Sequence, residues 1–229
     1  MAYLALDTAT DYLSLAVSTP SGIVCHGEMV GQKHAELTLP RLQDLLTATG
    51  TELADLEGIA FASGPGSFTG LRIGCGIVQG LAFTLGIPVL GISTLEALAQ
   101  ASGQERVITC LDARMQQVYA AAYVRSESGW VSVCEPVVCN PEAAPVPDGS
   151  GWHACGSGFA VFPEALQARF AAQATAFDAA LRPSAAQLLE LAMPRFAAGH
   201  GLPAAQAELV YLRDKVALKT AERQQAGGH

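Results

Sequence analysis

The chain has 229 residues, half of them hydrophobic and 15% charged, enough for one large domain or two small ones with a sizeable core. Its net charge is −8 with only 13 Lys and Arg residues, so it does not resemble a protein that binds tRNA by itself through a basic face. No uncharged apolar run of about 18 residues predicts a membrane span, and Met1 to Thr10 lacks the basic start of a secretory signal. We therefore expect a cytoplasmic protein without a membrane partner.

Catalytic and metal-binding patterns are missing from the sequence. None of the six cysteines forms a Cys-x-x-Cys pair, and the five histidines are not at metal-ligand spacing. No Gly-x-Ser-x-Gly elbow occurs, and no cysteine has a plausible local base. We expect reduced, mostly buried thiols, no metal ligands and no catalytic residues, which argues against a peptidase.

The first part of the chain predicts an antiparallel meander followed by a helix. Strands are expected at Tyr3–Asp7, Leu13–Ser18 and Ile23–Val30. Residues 33–49 then follow the helical period, with Pro40 interrupting the pattern or marking the first turn. The predicted apolar face of this helix consists of Ala35, Leu39, Leu42, Leu45, Leu46 and Thr49.

Alternating strands and helices follow. Ile59–Ala62 and Pro88–Ile92 are predicted as buried strands, and a long apolar helix is expected from Phe68 to Leu85. Ser93 and Glu96 form the pattern of a capping box for a helix that extends to about Ala101. The order βββαβαβα predicts a mixed five-stranded sheet of the ribonuclease-H type.

The second half repeats this plan more weakly. A strand at 107–112, a hairpin of 118–124 with 131–138, and a strand at 152–155 are expected, with helices at 159–172 and 184–198. The segment 140–151 contains three prolines and is predicted to be a loop. We predict an α/β protein with the actin/hexokinase-like ATPase fold, built from two ribonuclease-H-like lobes of which the second is degenerate. The expected division is a lobe at 1–103, a smaller lobe at 104–216 whose last helix packs back on the first, and a disordered tail at 217–229.

Two segments could contact a nucleotide. Asp7 and Thr8 end the first strand, where sugar-kinase-like ATPases place a metal-binding aspartate and a phosphate-facing turn. Gly64, Gly66 and Ser67 precede the apolar helix, whose N-terminus would attract an anion. Neither a Walker pattern nor a dinucleotide fingerprint is present. A structural alternative exists for each segment. Asp7 and Thr8 could simply form hydrogen bonds within a tight turn, and the glycines could be required for steric reasons at a strand-to-helix turn.

Several strings resemble one family over residues 3 to about 216. They are 5–10 (ALDTAT), 33–37 (KHAEL), 64–74 (GPGSFTGLRIG), 79–82 (QGLA), 111–115 (LDARM) and 210–214 (VYLRD). These strings are similar to those of the TsaB (YeaZ) family, bacterial subunits for biosynthesis of threonylcarbamoyladenosine in tRNA. The glycine-rich string with its Ser-Phe-Thr-Gly-Leu-Arg continuation is the most specific of them.

The resemblance implies a partner role. Family members work beside TsaD, which transfers a threonylcarbamoyl group to the tRNA adenosine next to the anticodon, and with the ATPase TsaE. TsaD carries His-x-x-x-His on the helix after its fifth strand, whereas Thr94 and Leu98 stand at the matching positions here. Leucine cannot bind a metal, so the resemblance implies a subunit without transferase activity that binds and activates TsaD.

The resemblance also implies where partners bind. The two long helices at 33–49 and 68–85 are expected to pair with TsaD, or with a second copy when the chain is alone, and tRNA is reached only through the complex. The implied interface residues are His34, Leu42, Leu45, Ile73, Gly74, Ile77 and Leu81. No intrinsic cofactor is expected, although ATP or ADP with Mg²⁺ could be shared at a partner interface. The alternative function is a small actin-like ATPase using Asp7, Thr8 and the Gly64–Gly70 loop.

Overall fold

The computed structural model of the chain describes residues 2–213, so the predicted tail at 217–229 lies outside the described residues. The first lobe contains β1 (Ala2–Asp7), β2 (Tyr12–Thr19), β3 (Gly22–Met29), α1 (His34–Thr49), β4 (Leu56–Gly64), α2 (Phe68–Leu85), β5 (Val89–Ser93) and α3 (Thr94–Ala101). Its sheet has the order β3-β2-β1-β4-β5. The three meander strands are antiparallel, and β4 and β5 extend the sheet in parallel from β1.

The second lobe repeats this topology. It contains β6 (Arg106–Asp112), β7 (Val118–Ser126), β8 (Gly129–Cys139), β9 (Trp152–Cys155), α4 (Ser157–Val161), α5 (Pro163–Arg169), β10 (Ala174–Asp178) and α6 (Ala185–Ala197). The sheet order β10-β9-β6-β7-β8 is the first-lobe order read from the other edge, with the same parallel and antiparallel pairs. Two ribonuclease-H-like sheets in succession are the actin/hexokinase-like ATPase fold that the sequence predicts.

Local sequence explains the ends of the long helices. The side chain of Ser67 accepts a hydrogen bond from the Gly70 amide at the start of α2, and that of Ser93 accepts one from the Glu96 amide at the start of α3. Both α1 and α2 end at a glycine in the left-handed region, Gly50 and Gly86. The predicted bounds of α2 are therefore confirmed at both ends.

Helices cover both faces of the first sheet. One face packs with α1 and α2 around a core that includes Leu4, Leu15 and Phe61. The other face packs with α6, which contacts β1, β2 and β4. Helix α3 lies between the lobes, because its Leu95 and Leu98 pack with strands of the second sheet. The space between the two sheets is thus occupied by a packed core.

The structure differs from the sequence predictions at three places. Strand β10 (Ala174–Asp178) was not predicted, because its five residues lack a run of β-branched side chains. The helix expected at 159–172 is two short helices, since Pro163 has no amide hydrogen and begins α5. The buried face of α1 is made by His34, Thr38, Leu42, Leu45 and Leu46, whereas Leu39 of the predicted face is 50% exposed.

The loop predicted at 140–151 stands where the first lobe has α1. In the structure it contains only a short 3-10 helix, Pro141–Ala143, between β8 and β9. The predicted boundary between residues 103 and 104 falls in the turn that joins α3 to β6, and the division into domains at that point stays a prediction.

Candidate functional site

The turn after β1 and the glycine-rich segment before α2 pack directly against each other. The Ser67 amide donates to the Ala9 carbonyl oxygen at 2.7 Å, and the Thr8 hydroxyl donates to the Gly70 carbonyl oxygen at 2.8 Å. The Gly70 amide donates to the Ser67 hydroxyl at 3.2 Å. Two amides of this segment are therefore engaged within the chain rather than directed at open space.

Glycine at position 70 is required by this contact. A Cβ atom there would lie 2.0 Å from the Thr8 carbonyl oxygen, far inside the distance that real Cβ atoms tolerate. Glycine is required at positions 66 and 64 for the same reason. A Cβ atom at position 66 would lie 2.5 Å from the Ala9 carbonyl oxygen, and one at position 64 would lie 2.6 Å from the Val210 carbonyl oxygen. The glycines thus allow close approach between backbones.

Asp7 is buried at the end of β1. One carboxylate oxygen accepts a hydrogen bond from the Ala9 amide at 2.8 Å, while the other, Oδ2, has no hydrogen-bond partner in the described part of the chain. Burial raises the pKa of Asp7 from 3.8 to about 7, against the lowering effect of the Ala9 amide. Folding therefore favours the protonated carboxyl group.

His34 is buried at the start of α1. Its Nε2 lies 2.7 Å from the Thr10 carbonyl oxygen, which assigns the ring proton to Nε2, and burial lowers the pKa of the ring. The hydrogen bond joins α1 to the turn after β1. The prediction that His34 belongs to a partner interface is therefore corrected: the side chain is 3% exposed and serves the internal packing.

The other implied interface residues divide between the core and the surface. Leu42 and Leu45 of α1 are fully packed in the core of the first lobe, and Gly74 is buried against the Thr8 side chain. These three positions are also corrected, because buried atoms have no surface to offer a partner. Ile73, Ile77 and Leu81 are half-buried along α2.

One face of α2 consists of uncharged, mostly exposed residues, with the exposed Arg72 beside it. We call it the α2 face; its residues are Thr69, Ile73, Gly76, Gly80 and Phe83. Phe83 is 80% exposed, the largest exposure among the large hydrophobic residues of the described chain. Cβ atoms built at Gly76 and Gly80 meet nothing within 4 Å, so packing within the chain does not require glycine at either position.

Helix α2 is also long and apolar enough to cross a membrane, judged by length and composition alone, with a mean hydropathy of 1.3 and only a third of its residues buried. That property is shared by core helices of globular proteins. Its opposite side packs on β1, β4 and β5, and its first turns carry Arg72. The hydropathy is therefore explained by one face in the core and one exposed apolar face.

A segment near the end of the described chain joins the two lobes. We call residues 207–213 the C-terminal strap. The Val210 amide donates to the Ser63 carbonyl oxygen at 2.8 Å, and the Arg213 guanidinium donates to the Ala113 carbonyl oxygen at 3.1 Å. The strap thus runs from the glycine-rich segment of the first lobe to the 112–117 loop of the second.

The strap forms one wall of a groove along α2. The groove has a volume of about 310 Å³ and is lined by Arg72, Cys75, Gly76, Gln79, Ala207, Leu209 and Tyr211. Sequence reasoning did not assign the groove, although Arg72 and Tyr211 both lie within the strings that carry the family resemblance. The two positions are 139 residues apart, so only the fold reveals their contact.

The positions of the expected metal ligands in TsaD are filled differently here. Leu98 is fully buried in the core between the lobes, and Thr94 is buried with a hydroxyl that has no hydrogen-bond partner among residues 2–213. Across residues 2–213, no group of three or more His, Cys, Asp or Glu side chains could hold a metal ion.

Comparisons with known proteins agree with this fold. The family model described as TsaD, tRNA N6-adenosine threonylcarbamoyltransferase, matches residues 14–220. The class is therefore that of actin-like ATPase-fold proteins related to this transferase.

Particular relatives define the family more narrowly. The tRNA threonylcarbamoyladenosine biosynthesis protein TsaB of Escherichia coli is 38% identical over 96% of this chain and 97% of its own length. TsaB of Haemophilus influenzae is 35% identical over 94% and 95%. The solved structure of YeaZ from Pseudomonas aeruginosa superposes with a TM-score of 0.84 at 39% identity, covering 92% of this chain and 99% of that one. The chain belongs to the TsaB family of tRNA threonylcarbamoyladenosine biosynthesis proteins.

Proposed function

We propose that the chain is a non-catalytic subunit that binds and activates a TsaD-type transferase in threonylcarbamoylation of the tRNA adenosine next to the anticodon. The observation that carries this proposal is the α2 face, which exposes Phe83 together with the bare backbone at Gly76 and Gly80. The acidic balance of the chain leaves tRNA binding to the partner. We also propose that the complex is cytoplasmic and includes a TsaE-type ATPase.

Glycine is costly inside an exposed helix. Each one destabilises a helix by up to about 1 kcal/mol relative to alanine, and in the described part of the chain nothing lies within 4 Å of a Cβ atom at Gly76 or Gly80 that would require glycine there. Glycines one turn apart allow a second helix to approach closely. A helix of the transferase, or of a second copy of this chain when it is alone, supplies the missing contact.

Several features support the absence of transferase activity. Leu98 contributes a hydrocarbon side chain to the core at the position implied for a metal ligand. Burial raises the pKa of the Cys110 thiol well above its usual value, and that of Cys155 as well, which suppresses the thiolate a nucleophile needs. We therefore assign catalysis to the partner, and peptidase activity gains no support from these thiols.

The alternative, a nucleotide-binding ATPase, fits the residues poorly. The Ser67 and Gly70 amides of the glycine-rich segment are bonded within the chain, so these two are not available to a phosphate. Asp7 is the one acidic side chain that the sequence predicts for a metal ion at this turn, and across residues 2–213 no group of three or more His, Cys, Asp or Glu side chains surrounds a possible metal ion. We propose that ATP or ADP with Mg²⁺ is bound, if the complex requires it, by partner residues. Calorimetry of the isolated chain with Mg-ATP should show no heat of binding.

The experiment is a reconstituted modification of tRNA with the TsaD-type transferase, the TsaE-type ATPase and the synthase of the threonylcarbamoyl adenylate. Omitting this chain should abolish modification, and the chain alone should modify nothing. Full modification without the chain, or modification by the chain without the transferase, would contradict the proposal.

A further inference from the structure

Arg72 is held in one orientation at the mouth of the groove. Its guanidinium carbon lies 3.7 Å from the centroid of the Phe68 ring and 5.8 Å from that of Tyr211. Its Nε donates to the Tyr211 hydroxyl at 3.1 Å. Stacking and one hydrogen bond thus orient the guanidinium plane, which lowers the conformational entropy that binding would cost.

The other nitrogens of Arg72 remain available. Within residues 2–213 Arg72 forms no salt bridge, whereas Arg41, Arg114 and Arg195 each lie within 4 Å of a carboxylate. Arg72 is also the only Lys or Arg between Arg41 and Arg106. The acidic residues in that interval are Asp44, Glu52, Asp55, Glu57, Glu96 and Glu105.

The groove beside Arg72 has room for a side chain. Its floor includes Cys75 and Leu209, and glycine at position 76 leaves its wall without a side chain. Gln79 and the Tyr211 hydroxyl add polar groups next to the guanidinium. An apolar floor with a fixed guanidinium at one end suits a carboxylate carried on a short hydrocarbon stem.

We propose that this groove binds an Asp or Glu side chain of the partner transferase, with Arg72 as the residue that recognises its carboxylate. The proposal rests on the proposed function, because the groove lies along the same helix, α2, that is proposed to bind the transferase. Acidic side chains outnumber Lys and Arg in the first lobe and would repel a carboxylate, so Arg72, the cation that lines this groove, fixes the register in which the partner helix packs over Gly76.

The first test measures affinity for the purified TsaD-type transferase of the same organism, without tRNA. Arg72→Gln should weaken binding about 20-fold. Added salt should reduce the difference in affinity between the variant and the wild type, because it screens the ion pair. Arg114→Gln, which removes another exposed guanidinium, on the second lobe, is the control and should change affinity less than about twofold. Thermal unfolding of both variants checks that they are folded.

The second test identifies the occupant. In the Arg72→Lys variant, a water-soluble carbodiimide should join the introduced amine to one carboxyl-bearing peptide of the transferase, as an amide formed with loss of water. Mass spectrometry should find the cross-linked peptide in the Arg72→Lys sample. It should find none in the wild type or in Arg114→Lys treated in the same way.

Three results would overturn the inference. One is amide formation only with a carboxyl group of this chain, including Asp214. Another is a loss of affinity in Arg72→Gln that appears only when tRNA is present, which would make the ligand a phosphate. The third is unchanged affinity of Arg72→Gln while Gly76→Leu loses binding, which would leave the proposed function standing. If Gly76→Leu also binds normally, the proposed function fails as well.

Discussion

The two lobes share one strand topology but differ in the helices that cover it. The first lobe has α1 with 16 residues and α2 with 18, whereas the second has a loop at 140–151 in place of α1 and the short α4 and α5 in place of α2. The strand order is therefore shared, whereas within residues 2–213 an outer layer of long helices is present in the first lobe only. The first lobe also exposes the apolar α2 face, which places the proposed partner surface there.

The ends of the first strands show the same difference. Asp7 of β1 is buried with one oxygen lacking a partner, and the turn after it packs tightly on α2. The side chain of Asp112 in β6 is 14% exposed and lies 3.1 Å from the Arg114 guanidinium. Among the described residues, the aspartate that ends the first strand of each lobe is therefore buried without an ion pair in the first lobe and ion-paired in the second.

The tight packing predicts the largest effect. Gly70→Ala places a methyl group against the Thr8 carbonyl oxygen and should lower the free energy of unfolding by about 3 kcal/mol. Gly158→Ala in the first turn of α4 meets atoms of Cys110 at 3.0 Å and should cost only about 1 kcal/mol. Denaturant unfolding of both variants measures the contrast, and equal costs would contradict the closer contact at Gly70.

The buried carboxyl group predicts a pH-dependent effect of intermediate size. The raised pKa of Asp7 means that its contribution to stability is present below pH 3.8 and lost as the pH rises to about 7. Asp7→Asn should therefore be more stable than wild type by about 2 kcal/mol at pH 8, with no gain near pH 4. Asp112→Asn, which loses an ion pair instead, is the control and should not gain stability at pH 8. A pH-independent effect of Asp7→Asn would contradict the burial of an unpaired carboxylate.

The smallest effect concerns the open space at the α2 face. Gly76→Ala should raise the free energy of unfolding by about 0.5–1 kcal/mol, because alanine favours the helix and its methyl group meets nothing. Destabilisation would mean that the backbone at position 76 is packed within the chain. Comparing this gain with the loss in Gly70→Ala separates glycines needed for folding from those left for a partner.

Much of the architecture follows from the sequence alone. The bounds of α2 are set by Ser67 and Gly86, and the order of strands follows from turn residues and apolar runs. The site was harder to predict. Helix α1 carries apolar residues on two faces, so periodicity did not show that Leu42 is buried and Leu39 exposed. A polar residue such as His34 at a helix start predicts exposure, and only the fold shows the Thr10 carbonyl oxygen beside it.

The most direct test of the account is the dissociation constant between this chain and the TsaD-type transferase, measured by calorimetry for Gly76→Leu. Ala168→Leu adds the same kind of side chain at an exposed position of α5 and is the matched control. The account predicts at least about 100-fold weaker binding for Gly76→Leu, because its side chain fills the space a partner helix needs, and less than about twofold for the control. Equal affinities for a folded Gly76→Leu and the wild type would contradict the claim that the α2 face binds the transferase.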